Sequence, residues 1–75
     1  MKAYVIDCES NGLLRQATKI HCLCYQDIET EDIISLTSYE QMREFLAQEM
    51  IVVGHNFPRY DKLVLEKILE ISIPW

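Results

Sequence analysis

The segment KAYVIDCESNG, residues 2–12, contains the pattern that decides the fold. Its apolar run at residues 3–6 is short and rich in β-forming side chains, which predicts a strand buried on both faces. The run continues into Asp7 and Glu9, and a turn-forming cluster follows at 10–12. Residues two apart on a strand project from the same face, so the two carboxylates are expected to point the same way.

The rest of the chain alternates strand-like and helix-like patterns. A helix is predicted to begin at Thr37 or Ser38, because each residue starts a capping box. The other predicted elements are strands at about 19–26, 32–37 and 51–54, a hairpin loop at 27–31 and a helix at about 59–70. The order is therefore β-β-β-α-β-α, which predicts an α/β fold with helices packed on a mixed sheet.

Length and composition restrict the class of protein. The 75 residues suffice for one small domain, whose core is thin without a partner, a metal or more chain. A composition of 49% hydrophobic and 25% charged residues argues against disorder. The net charge of −5 disfavours non-specific binding to DNA, which depends on Lys and Arg. No apolar run approaches the roughly 18 residues of a membrane span, so no membrane partner is expected.

The cysteines predict reduced thiols in a cytoplasmic setting. Three cysteines cannot all pair within one chain, and Cys22 and Cys24 share one strand face, where a local disulfide is disfavoured. A zinc site built from His21, Cys22, Cys24 and His55 is a competing interpretation. Its spacing matches none of the usual zinc patterns, and strand alternation separates His21 from both thiols.

Three carboxylates are candidate metal ligands. Asp7 and Glu9 lie at the carboxyl end of an apolar strand, where α/β sheets usually bind ligands, and together they suit a hard divalent cation. The alternative is a solvated strand end. Asp61 lies in the first turn of a helix, where the dipole alone favours a carboxylate. It also shares a helical side with apolar residues expected to face the sheet, which favours a functional role.

Two motifs resemble the DEDD superfamily of 3′–5′ exonucleases, which has a ribonuclease H-like fold. The first motif is Asp-x-Glu with a following leucine, seen at Asp7, Glu9 and Leu13. The second is a strand ending in His-Asn and then Tyr-Asp at a helix start, seen at 55–61. The sequences ESNGLL at 9–14 and TKIHC at 18–22 are similar to the proofreading domain of family A DNA polymerases from short-tailed phages.

The resemblance implies a two-metal exonuclease that hydrolyses 3′-terminal nucleotides from DNA. Asp7 would bridge two Mg²⁺ or Mn²⁺ ions, Glu9 would ligate the ion that activates water, and Asp61 would hold the second ion. Such ions, roughly 4 Å apart, stabilise the attacking and leaving oxygens of in-line displacement at phosphorus.

The resemblance also implies substrate contacts and partners. Ser10 and Leu13 would position the 3′-terminal nucleotide, Asn56 would orient the second motif, and Arg59 or Lys62 would meet a phosphate. The expected partners are the 3′ end of single-stranded DNA and the remainder of the exonuclease or polymerase. A phage-encoded chain would act in the cytoplasm of its bacterial host.

One part of the family pattern has no counterpart here. The third motif, a Tyr or His followed by a fourth Asp, is missing from the 75 residues. We therefore expect residues 1–75 to be the N-terminal portion of a 3′–5′ exonuclease domain, inactive alone. The alternatives are an inert regulatory or decoy protein that acts by binding, and a split enzyme with its other half on a separate chain. RNA remains open as substrate, and an exposed sheet edge would favour self-association.

Overall fold

The computed structural model describes residues 1–12, 15–53 and 61–75. Its elements, in chain order, are β1 (Ala3–Ser10), β2 (Ile20–Asp27), β3 (Ile33–Leu36), α1 (Tyr39–Leu46), β4 (Ile51–Val53) and α2 (Asp61–Leu69). This order confirms the predicted β-β-β-α-β-α arrangement. The strand β1 runs further than its apolar run, to Ser10, because residues beyond the run still pair with β2.

The four strands form one mixed sheet in the order β3-β2-β1-β4. The first three strands are antiparallel neighbours, while β4 returns through α1 to lie parallel to β1. A helical crossover is the usual way to bring a later strand parallel to an earlier one. The predicted α/β fold with a mixed sheet is confirmed.

The start of α1 settles the choice between two predicted caps. Ser38 has an extended backbone, and its Oγ accepts a hydrogen bond from the Gln41 backbone N–H at 3.3 Å. This is the first half of the predicted Ser38 capping box, and it satisfies one of the N–H groups that a helix start leaves unpaired. Thr37 precedes the cap.

The core lies on one side of the sheet. Tyr4 and Ile6 of β1 and Leu23 of β2 are buried there beneath apolar side chains of both helices. The ring of Tyr25 stacks on that of Phe45 with centroids 3.9 Å apart, and Tyr4 meets both rings edge-on. The buried helical residues are Met42, Phe45, Leu46, Val64, Leu65 and Leu69.

The opposite side of the sheet, which we call the outer face, is covered by none of the described elements. It carries Val5, Asp7, Glu9, Cys22, Cys24 and Val53. Val5 is 41% exposed, Ile51 53% and Val53 44%. The prediction that the strand at residues 3–6 is buried on both faces is therefore wrong, because the described parts of both helices pack against the same side.

The described helices have 8 and 9 residues. Within residues 1–12, 15–53 and 61–75, none is long and apolar enough to cross a membrane.

Candidate functional site

Strand β1 places Asp7 and Glu9 on the outer face. In the antiparallel pairing with β2, Asp7 lies opposite Cys24 and Glu9 lies opposite Cys22. Both acidic residues are exposed, whereas Ile6 on the other side of the strand is buried. The predicted common orientation of the two carboxylates is confirmed.

The end of β1 is fixed by a network around Asn11. The Asn11 Oδ1 accepts hydrogen bonds from the backbone N–H groups of Thr18 and Lys19, at 3.0 and 3.1 Å. The Ser10 Oγ donates to the Gly12 carbonyl at 2.9 Å, and the pairing register shifts between Glu9 and Ser10. From the sequence, Asn11 is expected only to form a turn. Its position in a turn cluster is the one feature that could have predicted these hydrogen bonds to the backbone.

Asp61 begins α2 and meets β1 at Cys8. Burial raises the pKa of the Asp61 carboxyl, hydrogen bonding from the Cys8 backbone opposes that rise, and the negative charge of Asp7 reinforces it. The charge of Glu9 acts in the same direction. Asp61 therefore lies within electrostatic reach of both carboxylates of β1.

Cys8 occupies the centre of this group of carboxylates. Burial is the largest of the causes that together raise the pKa of its thiol to about 12. Three negative charges add to the rise, in the order Asp61, Asp7 and Glu9. The sequence alone gives Cys8 no role, because no local pattern indicates that Asp61, 53 positions away, would approach it.

The three carboxylates do not form one coordination shell. Asp61 lies at Cys8, whose backbone and thiol hydrogen-bond to it, whereas Asp7 and Glu9 project from the outer face. Across residues 1–12, 15–53 and 61–75, no group of three or more His, Cys, Asp and Glu side chains is arranged to hold a metal ion. The three carboxylates thus lie near one another but are not arranged to hold one metal ion together.

The chemistry of these side chains nevertheless suits Mg²⁺ or Mn²⁺. Carboxylate oxygens are the donors that hard divalent cations take in proteins. The negative charges of Asp7 and Glu9 disfavour ionisation of Asp61, and a bound cation would offset that repulsion. The donor set fits such an ion by charge and atom type.

The predicted substrate-binding residues are only partly described. Leu13, Asn56 and Arg59 lie outside the described residues, as does His55 of the second motif and of the competing zinc interpretation. Lys62 donates to the Trp75 carbonyl, and its Nζ lies 6.0 Å from the centroid of the Trp75 ring. The Lys62 ammonium is therefore engaged within the chain. Its predicted contact with a phosphate, like the roles of the other site residues, stays a prediction.

A comparison of the chain with protein-family models and with curated proteins gives no match.

Proposed function

We propose that this chain is a segment of a metal-dependent 3′–5′ exonuclease that proofreads for a phage-type DNA polymerase. The observation that supports it most is the position of Asp61, the acidic residue of the second motif. Its carboxylate meets β1 at Cys8, between Asp7 and Glu9 in sequence, and feels both charges. The acidic residues of two motifs that are distant in the sequence therefore lie close to one strand, as a shared metal site requires.

The fold is compatible with this proposal. Three antiparallel strands, a helical crossover and a fourth strand parallel to the first make a mixed sheet of the kind expected for the first part of a ribonuclease H-like domain. Asp7 and Glu9 lie near the carboxyl end of β1, which is where such sheets usually bind ligands.

Some of the described residues would ligate metal ions, and others would position the substrate. Asp7, Glu9 and Asp61 would ligate the cations. Two bound divalent cations would supply charge stabilisation at the phosphoryl oxygens and an activated water. Asn11 would keep the end of β1 rigid, so that Ser10 presents its backbone to the 3′-terminal nucleotide. The fourth carboxylate of the family would come from outside these residues.

A second candidate function is an inert protein that keeps the fold and acts by binding. One observation favours it, namely that no three of the described side chains gather to hold a metal. The two functions differ in whether Asp7 and Glu9 bind a divalent cation at all.

A test of Mn²⁺ binding distinguishes the exonuclease segment from the inert binding protein. The paramagnetic ion should broaden backbone resonances around Asp7, Glu9 and Asp61 well before it affects other acidic residues. Asp7→Asn should remove that localised broadening, while Asp32→Asn, an equal charge change at an exposed residue before β3, should retain it. Broadening spread evenly over all carboxylates, or unchanged in Asp7→Asn, would contradict the proposal and favour the binding protein.

A nuclease assay tests the need for ligands from outside the chain. Incubation of the chain with single-stranded DNA and Mn²⁺ should release 3′-nucleotides only at background rate. The Tyr or His of the absent third motif would orient the attacking water, and such positioned acid–base help is worth about 10²–10⁴-fold. Strong release that disappears in Asp7→Asn would show that these 75 residues need no further ligand in another chain or segment.

A further inference from the structure

Two thiols lie side by side on the outer face of β2. The Sγ atoms of Cys22 and Cys24 are 4.0 Å apart, and the Cys24 Sγ is 3.4 Å from the Ser35 Oγ of β3. Both cysteines are half-buried free thiols, so solvent reaches them. The proposed exonuclease chemistry uses neither.

The spacing of these thiols suits chelation and disfavours a disulfide. A tetrahedral Zn²⁺ with Zn–S bonds of about 2.3 Å places two sulfurs about 3.8 Å apart, close to the separation seen here. A disulfide would need the sulfurs at about 2.05 Å. Residues two apart on an extended strand also have their Cα atoms about 6.4–6.8 Å apart, which is at the upper limit for a disulfide.

Oxygen ligands stand beside the thiols. Glu9 lies opposite Cys22 and Asp7 opposite Cys24 in the strand pairing, and all four side chains share the outer face. The Glu9 side chain is exposed and flexible enough to turn toward Cys22. Because no third ligand is already in place among the described residues, water or Glu9 would complete the shell.

We propose that Cys22 and Cys24 form a chelating dithiol site for a thiophilic divalent cation, such as Zn²⁺ or Cd²⁺. Soft thiolate donors select these ions, whereas Mg²⁺ and Mn²⁺ prefer the carboxylates of the neighbouring strand. The site differs from the zinc site considered from the sequence, since it needs neither His21 nor His55. It also does not depend on the proposed exonuclease function.

Titration with Cd²⁺, followed by the ultraviolet absorption of cadmium–thiolate bonds, tests the site. The reduced chain should bind one Cd²⁺ per molecule. Cys22→Ser and Cys24→Ser should each weaken binding at least tenfold, about the least that loss of a direct ligand costs. Cys8→Ser is the matched control, since this thiol lies on the other side of the sheet, and it should bind as the unaltered chain does.

A second measurement uses the unaltered chain, so it does not depend on whether the variants fold. Trypsin should separate Cys8, in peptide 3–15, from Cys22 and Cys24, in peptide 20–43. Cd²⁺ should slow alkylation of the second peptide at least about tenfold and leave the first unchanged. Equal protection of both peptides, no protection, or one Cd²⁺ shared by two chains would overturn the proposal.

Discussion

The thiol of Cys8 should react with iodoacetamide far more slowly in the folded chain than in the unfolded chain. The perturbation is unfolding in guanidinium chloride at pH 8, with reductant and with EDTA to remove divalent cations. Unfolding takes the thiol out of its half-buried site and away from Asp61, whose charge is the largest of those that raise its pKa. Asp7 and Glu9 flank Cys8 in the sequence and stay beside it in the unfolded chain. The reacting species is the thiolate, so the rate follows the thiolate fraction.

The size of the effect follows from the pKa change. Burial and the neighbouring carboxylates raise the pKa of Cys8 from 9.0 to about 12, which makes the thiolate about 1,000-fold scarcer at pH 8. A thiolate of higher pKa is also a better nucleophile, with a Brønsted slope of about 0.4–0.5, which returns roughly 16- to 32-fold. The net expectation is alkylation about 30- to 60-fold slower in the folded chain, before any loss of access.

Quenched labelling and mass spectrometry measure this directly. Trypsin releases Cys8 alone, in the peptide from Ala3 to Arg15, so its labelling can be followed separately from that of the other two cysteines. Equal alkylation rates in the folded and the unfolded protein would refute the conclusion that burial and three neighbouring carboxylates raise the pKa of this thiol. Asp61→Asn is the matched variant. Removing the largest of the charge effects lowers the pKa of Cys8 and should speed labelling in the folded chain.

Two further predictions concern stability. The pKa of Asp61 is raised by folding, so it contributes stability below its unfolded pKa that is lost as pH rises through its folded pKa. The Tm of Asp61→Asn minus that of the unaltered chain, measured in EDTA from pH 3 to 7, should therefore become more positive as pH rises, and a difference that becomes more negative would contradict this. Phe45→Ala, which removes the ring stacked on Tyr25, should cost about 3–5 kcal/mol in urea unfolding. Glu44→Ala, on the exposed side of α1, should change stability by less than about 0.5 kcal/mol; similar losses in both would argue against this core.

The elements and the direction of Asp7 and Glu9 were predictable because they depend on local periodicity. Alternation along β1 fixes which side chains share a face wherever the strand lies. The cap at Ser38 was predictable only as one of two choices, because Thr37 offers the same pattern one residue earlier. The backbone hydrogen bond to the Ser38 Oγ decides between them.

The covering of the sheet was not predictable from the same patterns. A run such as residues 3–6 is apolar at every position, so it fits burial on one face or on both. The outcome depends on where the helices pack, which is a long-range property. The approach of Asp61 to Cys8 is long-range as well. The number of residues between Asp7 and Asp61 does not predict where Asp61 meets β1.

On the outer face, which none of the described elements covers, apolar burial and cation binding would be linked. Val5 and Val53 are 41% and 44% exposed, and Asp7 is the next residue after Val5 on the same face, so an element that covers the valines would also take water from the Asp7 carboxylate. Burying the exposed half of each valine is worth roughly 1 kcal/mol. Dehydrating an unpaired carboxylate costs several kcal/mol, which exceeds that gain. A bound divalent cation, as proposed above, would reverse the balance, because it would neutralise the carboxylate and bind more strongly where water is excluded. A cover and a metal ion would then favour one another on this sheet.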